Sequence, residues 1–212
     1  MSDDKTEFYL IRHAETVLNV NPHIVNGRSN ETLLTYRGVE QSKRLGRALL
    51  QRNIIPGVVF SSPAVRTLAT AGYSLSEMGL DLEPIVQDEI QELSQGNMEG
   101  RLRDEVYTED TMIELKTKGK DFKLDGGESM NDVGNRMYNW MIHASASEQL
   151  DGLNRHFVYT HGGAIKCLAS QILGWDQDQT YKTEIRNTSV NLFTIQDGLC
   201  EVVYLNQDPL AI

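Results

Sequence analysis

"YLIRHAETVLN" (Tyr9–Asn19) is the stretch on which the interpretation of this chain depends. A short apolar run ends at Arg12 and His13, and the chain then enters a polar loop. A guanidinium group and an imidazole at the end of a buried strand lose hydration, which is costly unless another group pairs with them. The pair is therefore held by carboxylates of the protein, or it forms part of a site for an anion.

The composition narrows the classes of protein to consider. A chain of 212 residues is most simply a single domain, residues 1–212, and is long enough to bury a sizeable core. No apolar run approaches the roughly 18 residues that a membrane-spanning helix needs. The net charge of −10 argues against nucleic acid and anionic membranes as partners. An arginine-lined anion site stays open, because a concave site can be positive on an acidic protein.

The cysteines and the start of the chain bear on its location. Cys167 and Cys200 both lie in apolar runs and lack C-x-x-C spacing, so we interpret them as small core residues in a reducing compartment. The polar, acidic start "MSDDKTEF" resembles neither a secretion signal nor an arginine-rich transit peptide. We therefore expect a cytoplasmic protein.

Helix-like and strand-like segments alternate along the chain. Thr35 predicts the cap of a helix that runs to about Arg52. Ser62 predicts a second cap, with Pro63 in the first turn and Gly79 at the end of the helix. Further helices are predicted at about 103–118, 128–150 and 162–173, and strands at 8–12, 57–62, 83–87 and 156–161, before a C-terminal hairpin with its turn at Asp197-Gly198. This alternation predicts an α/β fold with a mainly parallel sheet.

Polar clusters follow three of the predicted strands. In an α/β fold, ligands bind beyond the carboxyl ends of the strands. If these strands are neighbours in the sheet, two histidines and two arginines converge on one point. The clusters are Arg12-His13 after the first strand, Ser61-Ser62-Pro63 with Arg66 after the second, and Thr160-His161-Gly162-Gly163 after "FVY".

The residue types in these clusters suit a phosphoryl group. Arginine forks match phosphate oxygens in bidentate geometry. Glycines at a helix N-terminus bring backbone N–H groups and the positive end of the helix dipole to the same anion. One neutral imidazole can act as a nucleophile, while the other holds an oxygen of the phosphoryl group. Each residue alone has an ordinary explanation, so the conjunction at three strand ends is what indicates this chemistry.

At this point the sequence resembles the histidine phosphatase superfamily, the phosphoglycerate-mutase-like proteins. "LIRHAETVLN" is similar to the signature of that family, and five further segments match it in the family's order over about residues 8–195. These segments are "GRSNETLLTYRGVEQSKRLG", "SSPAVRTLATA", "ELSQGNMEG", "GGES" and "YTHGGAI". The resemblance implies a three-layer α/β sandwich with helices on both faces of the sheet, and a small cap inserted at about residues 97–127.

The resemblance also implies a role for each site residue. His13 would be the nucleophile that becomes phosphohistidine, and Glu92 would be the acid for the leaving oxygen and then the base for water. The remaining residues would hold the phosphoryl oxygens, and they are Arg12, Arg66 and His161, with help from Asn19, Thr16 and the backbone N–H of Gly162. No metal ligand motif, P-loop or G-x-G-x-x-G is present, so we expect no metal and no cofactor.

Some positions depart from the family pattern. Leu33 and Leu34 stand where Pro-Leu is usual, and Met98 stands where a Trp is common. An arginine often found before Gly27 is replaced by Ile24, with Arg28 as its candidate substitute. These positions shape the mouth of the pocket, so they bear on the substrate more than on the chemistry.

Three functions remain to be separated. The first is a metal-independent phosphatase that acts on a phosphomonoester of a small molecule, and it is favoured because the cap is short. The second is a mutase that moves a phosphoryl group within a sugar acid, which needs a cap that excludes water. The third is a binding module without the reaction, and it is disfavoured because the whole set of site residues is present.

The positive residues of the cap are candidates to bind a second negative group on the substrate, and they are Arg101, Arg103, Lys116, Lys118, Lys120 and Lys123. A homodimer through the sheet edge or the hairpin stays open.

Overall fold

A computed structural model of the chain describes residues 5–147 and 153–212, and its centre is a six-stranded sheet. The strands lie in the order β3-β2-β4-β1-β5-β6. The first four in that order pair in parallel, and β5 and β6 add an antiparallel hairpin at one edge. The bounds are β1 Thr6–Arg12, β2 Val58–Ser61, β3 Ile85–Val86, β4 Arg155–Thr160, β5 Val190–Gln196 and β6 Leu199–Gln207. The prediction of an α/β fold with a mainly parallel sheet is confirmed.

Helices cover both faces of the sheet, so the expected three-layer sandwich is also confirmed. Successive residues of β1 point to opposite faces, as the period of a strand requires. Phe8 and Leu10 pack with α5 and α6, and Tyr9 and Ile11 pack with α1 and α2. The helices are α1 Tyr36–Gln51, α2 Val65–Met78, α3 Arg103–Val106, α4 Glu109–Lys118, α5 Met130–Ser145, α6 Gly162–Leu173 and α7 Gln177–Lys182.

Local capping signals explain where several helices begin and end. The hydroxyl of Thr35 accepts a hydrogen bond from the backbone N–H of Gly38, so the predicted cap of α1 is confirmed. Gly79 ends α2 in the left-handed conformation, as the sequence predicted. The predicted cap at Ser62 is wrong. Helix α2 begins only at Val65, after Ala64 and without a side-chain cap, and the Ser62 hydroxyl accepts from Nε2 of His161 instead.

The segment between β3 and α5 differs most from the prediction. The single helix predicted for 103–118 is divided into α3 and α4, because the Thr108 side chain accepts from the N–H of Thr111 and starts a new helix there.

Helix α7, which begins with a capping box of Asp176 and Gln179, was not predicted. The predicted helix over 128–150 ends at Ser145, and residues 148–150 lie outside the described residues.

Within the described part of the chain, none of the helices combines the length and the apolar character that crossing a bilayer requires.

Candidate active site

The three polar clusters meet at one edge of the sheet, at the carboxyl ends of β1, β2 and β4. Strand β4 lies between the other two, with Arg12 opposite Thr160 in one pair and Ser61 opposite Tyr159 in the other. The residues that follow these strands are therefore brought together, and the ring centres of His13 and His161 are 5.3 Å apart. The convergence that the sequence predicted is present in the structure.

His13 is buried, and its hydrogen bond fixes which ring nitrogen is free. Its Nδ1 lies 2.8 Å from the carbonyl oxygen of Ala14. A carbonyl can only accept, so Nδ1 carries the proton and the lone pair of the neutral ring is on Nε2. Burial, followed by the positive charges of Arg12 and Arg66, holds the pKa of His13 well below its ordinary value. His13 is therefore a neutral imidazole near pH 7.

The two arginines are held by neutral acceptors rather than by carboxylates. Arg12 donates from Nη1 to the carbonyl of Ile185 at 2.7 Å, and Arg66 donates from Nη1 to the carbonyl of Ser29 at 2.9 Å. Neither arginine forms an ion pair with a carboxylate within the described ranges 5–147 and 153–212. Their charges are thus left available to an anion, which is one of the two answers that the opening motif allowed.

His161 is fully buried and fixes Arg66 on one side and Ser62 on the other. Arg66 Nη2 donates to Nδ1 of His161 at 3.0 Å, because a guanidinium has no acceptor. The neutral ring then donates from Nε2 to the hydroxyl of Ser62 at 2.8 Å. Burial, with Arg66 as the next cause, lowers the pKa of His161 well below its ordinary value.

Glu92 reaches the N-terminus of α6. Its Oε2 accepts from the N–H of Gly163 at 3.1 Å, and its Oε1 accepts from the N–H groups of Ala164 and Leu93, both at 2.9 Å. The approach is close, because a methyl group at Gly163 would lie 2.4 Å from Oε1. The absence of a side chain at Gly163 is what allows the carboxylate to occupy this position.

Gly162, Thr16 and Asn19 complete the set of predicted residues. A methyl group at Gly162 would lie 3.1 Å from Nε of Arg12, so the guanidinium rests against the start of α6. Thr16 and Asn19 bond each other reciprocally, from each backbone N–H to the other side chain, at 3.1 and 3.2 Å. The amide of Asn187 donates to Asn19 and to the carbonyl of His13, which ties this loop to the nucleophile candidate.

These residues border a cleft of about 320 Å³. Six of the predicted residues line it, whereas His161 and Gly162 are buried beside it. The six are Arg12, His13, Thr16, Asn19, Arg66 and Glu92. Lys166 also lines the cleft and was not predicted, although it lies four residues after Gly162 and so on the same face of α6.

A second group supports Glu92; the sequence indicated Arg28 as a candidate at the mouth of the pocket but gave no role to Arg136 or Glu128. Arg28 and Arg136 both donate to the carbonyl oxygen of Glu92, at 3.4 and 3.1 Å. Both arginines also pair with Glu128, at 3.2 and 2.9 Å. Although burial opposes it, hydrogen bonds from Arg136 and from the N–H of Ser94 lower the pKa of Glu128. Glu128 belongs to the "GGES" motif, and that motif was the available signal.

The other three histidines lie apart from the cleft lining. His23 and His143 are exposed, and His156 is buried on β4 against Phe8 and Phe60. Within the described residues, no group of three or more histidine, cysteine or carboxylate side chains is arranged to hold a metal ion.

A neutral imidazole beside two unpaired guanidinium groups, at the carboxyl edge of an α/β sheet, is the arrangement of an enzyme that transfers phosphoryl groups. The sequence profile of the histidine phosphatase superfamily (branch 1) matches residues 8–208. The chain therefore belongs to the histidine phosphatase superfamily, and it is an enzyme of the histidine phosphatase and phosphoglycerate mutase type.

Relatives and solved structures agree with this assignment. The probable phosphoglycerate mutase GpmB of Salmonella paratyphi C (strain RKS4594) is 30% identical over 194 residues, which are 91% of this chain and 86% of the relative. A phosphoserine phosphatase variant from Entamoeba histolytica, in complex with phosphoserine, superposes with a TM-score of 0.80 at 21% identity and covers 95% of this chain and 97% of its own. Phosphoglycerate mutase from Bacillus anthracis str. Sterne superposes with a TM-score of 0.80 at 23% identity and covers 96% and 94%. The two structures share the fold of this chain.

Proposed function

We propose that the protein hydrolyses the phosphomonoester of a small molecule, without a metal ion, through a phosphohistidine at His13. One observation carries the proposal. The Nδ1 proton of His13 is fixed by the carbonyl of Ala14, so the lone pair on Nε2 is free beside Arg12 and Arg66. A neutral nucleophile next to unpaired positive charge is what attack on a phosphoryl group requires.

The arginines bind the phosphoryl oxygens in this proposal. Arg12 and Arg66 stabilise the charge that spreads over these oxygens in the transition state, and their fixed positions mean that little reorganisation is needed. The N–H of Gly162 is at the first helical position, where it has no partner within the helix. Thr16 and Asn19 border the same end of the cleft and give further polar contacts. His161 supports the clamp through Arg66, and its own Nδ1 donates to a phosphoryl oxygen only when Arg66 releases it and the ring carries a proton on Nδ1.

The reaction has two steps. In the first, Nε2 of His13 forms a bond to phosphorus, the bond to the ester oxygen breaks, and the alcohol leaves with a proton from Glu92. In the second, Glu92 takes a proton from water, the water oxygen attacks phosphorus, and the bond to His13 breaks to release phosphate. The N–H groups of Leu93, Gly163 and Ala164 hold the Glu92 carboxylate in one position, from which it serves both proton transfers.

Phosphoryl transfer within a sugar acid is the second candidate, and the name of the Salmonella relative favours it. Such a mutase keeps water away from phosphohistidine, whereas a phosphatase admits it. In this chain, the region proposed as a cap, residues 97–127, forms only short helices, and many of its side chains are exposed. Hydrolysis is therefore the activity we favour. With 3-phosphoglycerate as the probe, a phosphatase releases phosphate and a mutase forms 2-phosphoglycerate.

The test of the proposal is phosphate release from 4-nitrophenyl phosphate at pH 5–8 with EDTA present. We expect wild type to turn over and His13→Ala to lose at least about 10⁴-fold in kcat, because a nucleophile has no substitute in the site. Exposed His143→Ala is the matched control and should equal wild type. Circular dichroism checks that each variant is folded. Full activity in His13→Ala, or loss of wild-type activity with EDTA, contradicts the proposal.

We also propose that the enzyme is a single domain, residues 1–212, with its cap at 97–127, and that it works in the cytoplasm. Both cysteines are free thiols in the structure, which supports a reducing compartment. Burial raises the pKa of Cys167 and of Cys200 to about 12, so both thiols are unreactive near pH 7. The partner we propose is a small phosphorylated substrate. Size-exclusion chromatography with light scattering tests whether the chain forms a homodimer.

A further inference from the structure

The loop at residues 185–189, which leads into β5, closes on the segment that carries the nucleophile. The antiparallel pairing of β1 with β5 ends beside this loop. Two backbone bonds then continue the pairing: the N–H of Arg12 donates to the carbonyl of Ser189 at 3.3 Å, and the N–H of Thr188 donates to the carbonyl of Arg12 at 3.0 Å. The carbonyl of Ile185 also accepts from the guanidinium of Arg12. The loop therefore holds both the backbone and the side chain of this arginine.

At His13 a side chain of the loop replaces its backbone as the partner. The carbonyl of His13 accepts from Nδ2 of Asn187 at 2.9 Å. The same nitrogen donates to Oδ1 of Asn19 at 3.2 Å. An amide nitrogen carries two hydrogens, so it serves both acceptors at once. Asn187 thus joins the nucleophile to the loop that carries Asn19.

These bonds determine which end of the Asn19 amide faces the cleft. Oδ1 of Asn19 accepts from two donors, Nδ2 of Asn187 and the backbone N–H of Thr16. Two donors on one end of a side-chain amide identify that end as the oxygen. Asn19 lines the cleft, and within residues 5–147 and 153–212 no acceptor contacts its Nδ2. The donor end of Asn19 is therefore available to a phosphoryl oxygen.

The loop adopts an unfavourable backbone conformation next to Asn187. Thr188 has a φ of 56°, in the left-handed region that a β-branched residue rarely adopts. Such a conformation persists only where the surrounding contacts determine it, and it is concentrated at functional sites. The contacts here are the N–H of Thr188 on the carbonyl of Arg12 and the Thr188 hydroxyl on the carbonyl of Asn187, at 2.7 Å. This turn keeps the amide of Asn187 within bonding distance of two site residues.

We infer that Asn187 is a positioning residue for phosphoryl transfer, which acts through His13 and Asn19; the inference rests on the proposed function of the site. Asn187 is not among the described residues that line the cleft, so it acts on its neighbours and not on the substrate. Its amide fixes the backbone of His13 beside the arginines. It also holds Asn19 with the NH₂ group toward the anion, because the reversed amide would present an oxygen that repels the phosphoryl oxygens.

Binding of inorganic phosphate tests the action through Asn19 and needs no turnover. Isothermal titration calorimetry compares wild type, Asn187→Ala, Asn19→Ala and the double variant. We expect Asn187→Ala to weaken phosphate binding about five- to tenfold, because Asn19 is no longer held as a donor to the anion. In the Asn19→Ala background the same change should weaken binding by less than about twofold, since residues that act through one another are not additive. Asn135→Ala, at an exposed position of α5, is the matched control and keeps wild-type affinity.

Asn187→Asp sharpens the test, because it keeps the shape of the side chain and reverses its hydrogen bonding. An ionised carboxylate only accepts, so it opposes the oxygens of His13 and Asn19, whereas a protonated carboxyl group regains one donor. We expect kcat for 4-nitrophenyl phosphate at pH 7 to fall about 10–100-fold through misplacement of the nucleophile. The ratio of variant to wild-type kcat should rise as the pH is lowered from 7 to 5. A role in folding alone would not produce this pH profile in the folded variant.

The outcomes separate this inference from the proposed function. Wild-type phosphate affinity in Asn187→Ala, or an equal loss in the Asn19→Ala background, overturns the inference. A kcat ratio for Asn187→Asp that does not rise toward pH 5 also overturns it. Circular dichroism checks each fold, and Asn187→Ser takes the place of Asn187→Ala if that variant unfolds. If wild type releases no phosphate from 4-nitrophenyl phosphate, the proposed function fails, while the phosphate-binding comparison still decides the role of Asn187.

Discussion

The two ends of the cleft are built in opposite ways. At the phosphoryl end, His13, Arg66 and His161 are buried and follow strands at the centre of the sheet. At the other end, Arg103 and Lys123 are exposed and lie on short helices and turns. Strand ends give fixed geometry, which the chemistry needs. Surface segments give charge with freedom to vary, which is how one scaffold accepts different substrates.

Hydrogen bonding shows the same contrast. At the phosphoryl end each buried side chain is oriented by at least one hydrogen bond, such as the one from Nδ1 of His13 to Ala14 and the one from Arg66 to Ser29. At the other end of the cleft, the guanidinium of Arg103 lies over the ring of Tyr107, and Lys166 donates to the carbonyl of Tyr181 at 3.4 Å. We therefore expect substitutions at the phosphoryl end to reduce kcat on every substrate. Substitutions of Arg103 or Lys166 should instead change the preference between substrates.

Among the substitutions that test this comparison, Arg66→Met is expected to lower kcat the most. Arg66→Met removes the donor that contacts His161 and the carbonyl of Ser29, and we expect kcat to fall about 10²–10³-fold. The measurement is steady-state kinetics with 4-nitrophenyl phosphate, and the control is Arg47→Met, an exposed arginine whose ion pair is with Glu77 at the surface. A loss of less than tenfold in folded Arg66→Met would mean that the buried guanidinium is not part of the clamp.

A smaller effect is expected where α6 meets Glu92. In Gly163→Ala the new methyl group would lie 2.4 Å from Oε1 of Glu92, so the carboxylate must move. A displacement of this size is expected to reduce kcat by about 10–100-fold. Gly72→Ala is the matched control, since its Cβ would enter open space on α2, and it should stabilise the fold by about 0.5–1 kcal/mol. Wild-type kcat in Gly163→Ala would show that the position of Glu92 does not matter.

The smallest effect concerns the stability of the buried core rather than the rate. Burial lowers the pKa of His156 to about 4, and it also lowers the pKa values of His13 and His161. The unfolded chain therefore binds more protons than the folded chain below about pH 6.5, so the free energy of unfolding falls as the pH is lowered from about 6.5 toward 4.

Urea unfolding at pH 7, 6 and 5 measures this fall. The slope of the free energy of unfolding against pH reports how many more protons the unfolded chain binds. In His156→Leu this number should be smaller by about one, because one of the three buried rings is gone. His143→Leu, which changes an exposed ring on α5, should keep the wild-type slope. An unchanged slope in His156→Leu would mean that His156 does not resist protonation in the folded state.

The same contrast explains how much the sequence could predict. The convergence of Arg12, His13, Arg66 and His161 was predictable, because each cluster is contiguous in sequence and parallel strands bring their carboxyl ends to one edge. The cap signal of Ser62 misled, since the competing partner, His161, lies 99 residues away in sequence. Lys166 was missed because its position in the cleft depends on how α7 and the segment around Lys120 pack against α6, and no local pattern encodes that packing.

The central claim is that His13 carries the phosphoryl group. The most direct measurement is a rapid alkaline quench of the enzyme during turnover of 4-nitrophenyl phosphate, followed by peptide mapping by mass spectrometry. We predict one added phosphoryl group on the peptide that contains His13, stable in alkali, lost in acid and absent from His13→Ala. Turnover with no trapped intermediate on repeated quenches, or a phosphoryl group on any other residue, would contradict the account.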